Sequence, residues 1–166
     1  TPLEEAAADF REGIRRLADR CDYFWVNISS PNTPGLRSLQ EDEGLRRLLD
    51  GVAEEIARQR PTRPWFVKVA PDLDDAALDT LARGLSESGA AGVVATNTTI
   101  SRGGLQTPSQ RVEALGAGGL SGAPLLESSL RVVRHLAAAG LPVIGVGGID
   151  SGASARRHLA AGATLV

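Results

Sequence analysis

Apolar positions recur along this chain with two alternating periods. Between residues 3 and 20, Phe10, Ile14 and Leu17 fall at helical spacing among charged neighbours, which predicts an amphipathic helix. The aromatic and β-branched run at 23–28 predicts a strand buried on both faces. Leu45, Leu48, Leu49, Val52 and Ile56 mark a second helix closed before Pro61, and residues 65–70 a second strand stopped by Pro71. Leu78, Leu81 and Leu85 mark a third helix, capped by Asp74 or Asp75 and ended by Gly89. A third strand is expected at 92–97 and a fourth helix at 125–139, with Leu126, Leu130, Val133 and Leu136 inward and Gly140 after it. Residues 142–146 read as a fourth strand, Ser151 caps a helix that reaches Gly162, and 163–166 open a fifth strand.

Strand-helix units whose strands are apolar throughout imply an α/β fold with a parallel sheet, either doubly wound or a (β/α) barrel. Small or polar residues stand at the carboxyl end of every strand: Asn27, Lys68, Thr96 with Asn97, and Gly147 with Gly148. In a barrel those ends converge on one mouth, where active sites lie. The reading is therefore a (β/α)8 TIM barrel, of which four to five βα units are present. A chain that opens on a helix and stops inside a strand is expected to be one partial barrel domain, 1–166, truncated at both ends of a longer polypeptide.

Composition narrows the function classes. At 166 residues and 42% hydrophobic content, the chain can bury about two thirds of its unfolded surface. A net charge of −2, with 18 basic and 20 acidic residues interspersed, offers no basic stripe for nucleic acid and favours a small-molecule partner. Cys21 is the only cysteine, so no disulfide framework or paired-cysteine metal site exists, and a reducing compartment is expected. No stretch is long and apolar enough for a membrane span, and residues 1–5 lack the features of a signal peptide.

Candidate chemistry collects behind the strands. Asn27-Ile28-Ser29-Ser30-Pro31-Asn32-Thr33-Pro34-Gly35-Leu36-Arg37 packs amides and hydroxyls between prolines that each fix a φ angle, which reads as a stiffened site loop or as an ordinary turn. Lys68 is the one lysine among 18 basic residues and lies inside an apolar strand. It reads as a structural ion pair, as an ammonium for an electron-rich ligand edge, or as a Schiff-base nucleophile of an aldolase barrel. The stretches Gly118-Gly119-Leu120-Ser121-Gly122 and Gly145-Val146-Gly147-Gly148-Ile149 read as tight turns or, on the late half of a barrel, as a phosphate cradle assisted by a helix N-terminus. No Rossmann fingerprint or P-loop is present, and His135 and His158 read as surface residues of helices.

Five ordered stretches resemble the motifs of the quinone-dependent class 2 dihydroorotate dehydrogenases: the loop at 27–37, Lys68-Val69-Ala70-Pro71-Asp72-Leu73, Ala95-Thr96-Asn97-Thr98-Thr99, and the two glycine stretches. The resemblance implies an FMN flavoprotein that oxidises dihydroorotate to orotate in pyrimidine (UMP) biosynthesis with a quinone as acceptor. It puts Ser30 on the catalytic base, where soluble class 1 enzymes have cysteine, and Thr33 on the residue that relays its proton. Asn27, Asn32, Asn97 and Thr98 fall on substrate-binding positions, with Asn27 also near the flavin; Lys68 and Thr96 on flavin contacts; and Gly122 and Gly148 around the FMN phosphate. Ala123 departs from the pattern, standing where many relatives have arginine. The family's early strands, its N-terminal element for membrane and quinone, and its last strand are expected outside this chain. The intact protein is expected to be peripheral on the cytoplasmic side of a bacterial inner membrane, and the chain by itself inactive.

Overall fold

The computed structural model describes residues 5–32, 42–59 and 63–166. Its centre is a four-stranded sheet of β1 (Phe24–Asn27), β2 (Trp65–Val69), β3 (Gly92–Ala95) and β4 (Val143–Gly145), all parallel and hydrogen-bonded in chain order. Every crossover advances one strand in the same direction, with none of the order reversal that marks a doubly wound sheet. This is a barrel wall, as the strand ends imply. Leu165 pairs in parallel with Ile144 on the free side of β4, where a fifth strand lies in such a wall.

Six α-helices accompany the strands: α1 (Ala6–Leu17), α2 (Asp42–Gln59), α3 (Asp75–Ser88), α4 (Ser109–Ala114), α5 (Leu126–Ala138) and α6 (Gly152–Ala160). Successive long helices pack side by side, α1 on α2, α2 on α3, α3 on α5 and α5 on α6, as the outer ring of a barrel requires. Their apolar stripes meet alternate strand residues, Phe24, Val26, Trp65, Val67, Val69, Val93, Ala95 and Val143, in one core with Leu45, Leu48, Leu78, Leu81, Val133 and Leu136. Each fully buried aliphatic side chain there contributes ~1.5–3 kcal/mol relative to an exposed one. Two caps take the expected form: the Asp74 side chain accepts from Ala77 N, and Ser151 forms a reciprocal capping box with Ser154.

The structure corrects the sequence reading of the strands and helices at three places. β1 is buried on one face only, because the residues that alternate with its core positions, Trp25 at 44% exposure and Asn27, face the open concave side of the wall. Leu17 keeps helical spacing but is 52% exposed, since α1 ends there, beyond the contact that buries Ile14. α4 and the 3₁₀ turn Ala123–Leu125 ahead of α5 were not expected; α4 buries no residue, so it has no apolar face to be read.

Outside the apolar core, α1 and α2 are joined by a polar clamp. The Glu55 carboxylate accepts from Arg15 Nε at 3.0 Å, Arg15 Nη2 at 3.1 Å and Gln59 Nε2 at 2.9 Å, with Arg11 Nε at 3.5 Å. Its side chain is 1% exposed, yet the groups that cover it are arginines that are themselves 29% and 47% exposed. Hydrogen bonds from Arg15 and then Gln59 outweigh the desolvation and lower its pKa from 4.5 to about 2. A depressed carboxyl contributes stability that is present above its unfolded-state pKa and is lost as pH falls through the folded one. The melting temperature should therefore fall between pH 4.5 and about 2 more steeply in the wild type than in Glu55→Gln, by thermal denaturation across that window. Parallel curves would contradict the clamp.

Candidate active site

All carboxyl ends of the strands reach the same rim. Asn27 closes β1 and sits in register with Lys68 of β2, which pairs in turn with Val94 of β3 and through it with Ile144 of β4. This row faces the concave side, so a polar residue placed in it presents its side chain to whatever occupies the barrel interior.

The loops after β1 and β3 are joined by side chains. Asn27 Oδ1 accepts from Ser29 N at 3.2 Å, Ser29 Oγ at 2.9 Å and Asn97 Nδ2 at 3.2 Å. Asn97 Nδ2 also donates to Ser29 Oγ at 3.1 Å, and Asn97 Oδ1 accepts from Thr98 N at 2.8 Å. Asn97 thus spends its amide inside the network, whereas the Asn27 NH2 group meets no acceptor among the described residues. Ser30 is half-buried and its Oγ accepts from Asn32 N at 3.3 Å, which folds the start of the loop back on itself. Thr33, Pro34 and Gly35 lie outside the described residues.

A second junction seats the first glycine stretch on these loops. Thr99 and Leu120 form an antiparallel bridge, with Thr99 N donating to Leu120 O at 3.0 Å and Leu120 N to Thr99 O at 2.7 Å. Gly119 then lies so close to its neighbours that a Cβ on it would stand 2.0 Å from Thr98 Oγ1 and 3.0 Å from Pro31 Cγ. The loop after β1 and both ends of the excursion after β3 meet at this glycine, which leaves no room for a larger residue.

Lys68 and Thr96 line the same wall. Lys68 Nζ lies 5.8 Å from the centroid of the Trp25 ring and has no carboxylate partner among the described residues, so the ion-pair reading of this lysine finds no support. Thr96 follows a cis Ala95–Thr96 peptide bond, is 2% exposed, and its Oγ1 is buried without a hydrogen-bond partner. Gly122 and Gly148, far apart in sequence, come together at the start of α5. Gly122 (φ +84°) opens the 3₁₀ turn into that helix, and a Cβ on Gly148 (φ +70°) would lie 2.7 Å from Leu126 N.

Several residues that support this rim carried no role in the sequence reading. Asp72 accepts from Thr99 Oγ1 through a short contact and from Ile100 N at 3.2 Å, tying the loop after β2 to the loop after β3. Arg131 of α5 donates to Asp75 Oδ1 at 2.8 Å and to the carbonyls of Pro71 and Leu73, which fixes the segment around Asp72. Arg102 binds Gly118 O at 2.6 Å and Ile100 O at 3.2 Å, closing the excursion between them. Their signal in the sequence is weak, since an arginine bound to carbonyls looks like any surface arginine. His158 is a correction: it is not at the surface but fully buried, and its Nε2 meets Gly147 O at 3.0 Å. Its spacing of four from buried Ser154 is the signal that marks it as inward. His135 is the satisfied surface residue expected, bound to Asp79 at 2.7 Å. No group of three metal-ligating side chains and no membrane-spanning helix occurs among the described residues.

Comparison with known proteins agrees with this geometry. Residues 3–166 match the family model described as Dihydroorotate dehydrogenase. The dihydroorotate dehydrogenase (quinone) of Thermobifida fusca (strain YX) is 51% identical over 169 residues, which cover 99% of this chain and 45% of that protein. The protein of the same name from Pseudarthrobacter chlorophenolicus is 49% identical over 168 residues, covering 99% of this chain and 47% of its own length. Among solved structures, dihydroorotate dehydrogenase of Eimeria tenella in complex with ferulenol superposes with a TM-score of 0.86 at 34% identity, over 96% of this chain and 47% of that one. The chain spans about half the length of the curated relatives it matches. With the parallel wall, the ordered motifs and these identities in agreement, the chain belongs to the dihydroorotate dehydrogenase family.

Proposed function

We propose that this chain carries the substrate loop and much of the cofactor wall of an FMN-dependent enzyme that oxidises dihydroorotate to orotate and passes the electrons to a quinone. The observation that carries the reading is the tie between Asn27, Ser29 and Asn97, which holds the Ser30 loop over a concave wall where Lys68 and Thr96 have uncommitted polar atoms. The donor set suits the cofactor. A lysine without a carboxylate partner, a buried threonine hydroxyl and the glycine-rich turn at the N-terminus of α5 offer an ammonium, a donor and backbone amides to a ring edge and a phosphate. When bound, FMN supplies the acceptor for the hydrogen that leaves with its electron pair.

The chain's own residues account for the remaining steps. Ser30 removes the proton from the neighbouring ring carbon, and Thr33 carries that proton away, because a serine hydroxyl is a weak base unless its own proton has an exit. Asn27, Asn32, Asn97 and Thr98 are assigned to the substrate: the Asn27 NH2 group is left to donate to an imide edge, and Asn97, whose amide is bound to Asn27, Ser29 and Thr98, would exchange those bonds for the substrate on binding. Holding these groups on stiffened loops supplies much of the rate through orientation. Lys68, beside Trp25 on the concave face, offers an ammonium that would stabilise negative charge on a bound flavin. Gly122 and Gly148 present backbone amides to the phosphate. Contact with quinone and a membrane surface belongs to parts of the full-length protein beyond these residues. Family membership speaks against a Schiff-base aldolase on Lys68, and a lack of borohydride trapping with carbonyl substrates would agree.

In the full-length protein, Ser30→Ala should slow reduction of the flavin by dihydroorotate ~10²-fold or more while orotate still binds, measured by anaerobic stopped-flow absorbance. Unchanged reduction would remove Ser30 from the role. Ser30→Cys should keep part of the activity with a shifted pH profile, because a thiol titrates nearer neutrality. Lys68→Arg should lose FMN or turnover, since a wider, planar guanidinium does not fit a ligand site shaped for an ammonium. Full activity with bound FMN in that variant would return Lys68 to a structural role.

A further inference from the structure

We propose that His158 is a positioning residue for the phosphate end of the cofactor site, acting through the Gly147 carbonyl. The inference rests on the reading that the turn at Gly147 and Gly148 holds the FMN phosphate. His158 is 0% exposed, and its Nε2 lies 3.0 Å from Gly147 O. A carbonyl oxygen only accepts, so Nε2 carries a proton in this contact, while Nδ1 is buried with no partner among the described residues. The sequence makes room for this ring. A Cβ on Gly145 would stand 2.7 Å from His158 Nδ1, so β4 ends in a residue without a side chain where the imidazole lies.

The bond matters because of what it leaves free. Gly147 and Gly148 have φ values of +115° and +70°, and a peptide between two glycines can turn over at little steric cost. With the Gly147 carbonyl held from the α6 side, the amides of Gly147, Gly148 and Ile149 donate to no group among the described residues. Successive unpaired amides beside the start of α5 are suited to an anion. One turn earlier on α6, Ser154 Oγ accepts from Asp150 N at 3.0 Å and from Ser151 N at 3.0 Å, which fixes the far end of the same loop. α6 thus holds the loop at two points through Ser154 and His158, and His158 sets the orientation of the part that faces the ligand.

The test uses the full-length protein freed of cofactor, with FMN and riboflavin as probes, because riboflavin lacks only the phosphate. His158→Met removes the donor at similar length, and His158→Gln keeps an N–H near the position of Nε2. Affinities measured by quenching of flavin fluorescence should show His158→Met losing the preference for FMN over riboflavin by about tenfold, the scale of one hydrogen bond, with riboflavin binding unchanged and His158→Gln near wild type. A His158→Met protein that keeps the wild-type preference, or loses both ligands equally, would overturn the proposal while leaving the phosphate site in place. A wild type with no preference for FMN would remove the phosphate reading itself, and the role of His158 with it. Should the methionine variant fail to fold, the ring nitrogens of His158 in the wild type decide by NMR: a protonated Nε2 is expected, and an unprotonated Nε2 overturns the proposal.

Discussion

The arrangement depends on one constraint, the parallel pairing of four strands in chain order. Parallel strands put all their carboxyl ends at one rim, and the sequential order keeps neighbouring loops neighbours in space. Asn27 and Lys68 share a register row for this reason, although 41 residues separate them in the chain. Shifting β1 by one residue against β2 would turn Asn27 towards the helices and Val26 towards the concave side, so the burial of Phe24 and Val26 against the core also fixes the direction of the Asn27 side chain.

Above the sheet, order comes from polar ties rather than apolar burial. Asn27, Ser29 and Asn97 join the first and third loops, Asp72 joins the second to the third, and the bridge between Thr99 and Leu120 seats the first glycine stretch on them. Arg131 and Arg102 bind carbonyls at the outer ends of these loops. Each bond is worth only ~1 kcal/mol net, but together they restrict the groups that would face a ligand and so lessen the cost of ordering them on binding. The Lys68 ammonium and the Thr96 hydroxyl are left out of this web, a pattern expected of atoms kept for a ligand.

Much of this was legible in the residue order. The apolar runs end in Asn27, Lys68, Thr96 and Gly147, and in a parallel sheet that pattern can only place polar groups at one rim. Caps at Asp74 and Ser151 were readable because a short side-chain acceptor before an apolar helix has few other uses. Periodicity could not show that Trp25 faces an open concave side, because an aromatic in a strand reads the same whether it meets a core or a ligand space. α4 escaped notice because it buries nothing, and His158 because the inward face of α6 is built from small polar residues rather than leucines. The roles of Arg102, Arg131 and Asp72 depend on partners 16 to 60 residues away, which no local pattern encodes.

The central claim is that these loops and this wall form a flavin site for dihydroorotate. It is tested most directly by the absorbance spectrum of the purified full-length protein before and after anaerobic addition of dihydroorotate. The account predicts a yellow protein that releases stoichiometric FMN on denaturation and whose visible flavin bands bleach on adding substrate. A colourless protein that does not take up added FMN, or a flavin whose bands persist in the presence of dihydroorotate, would contradict it.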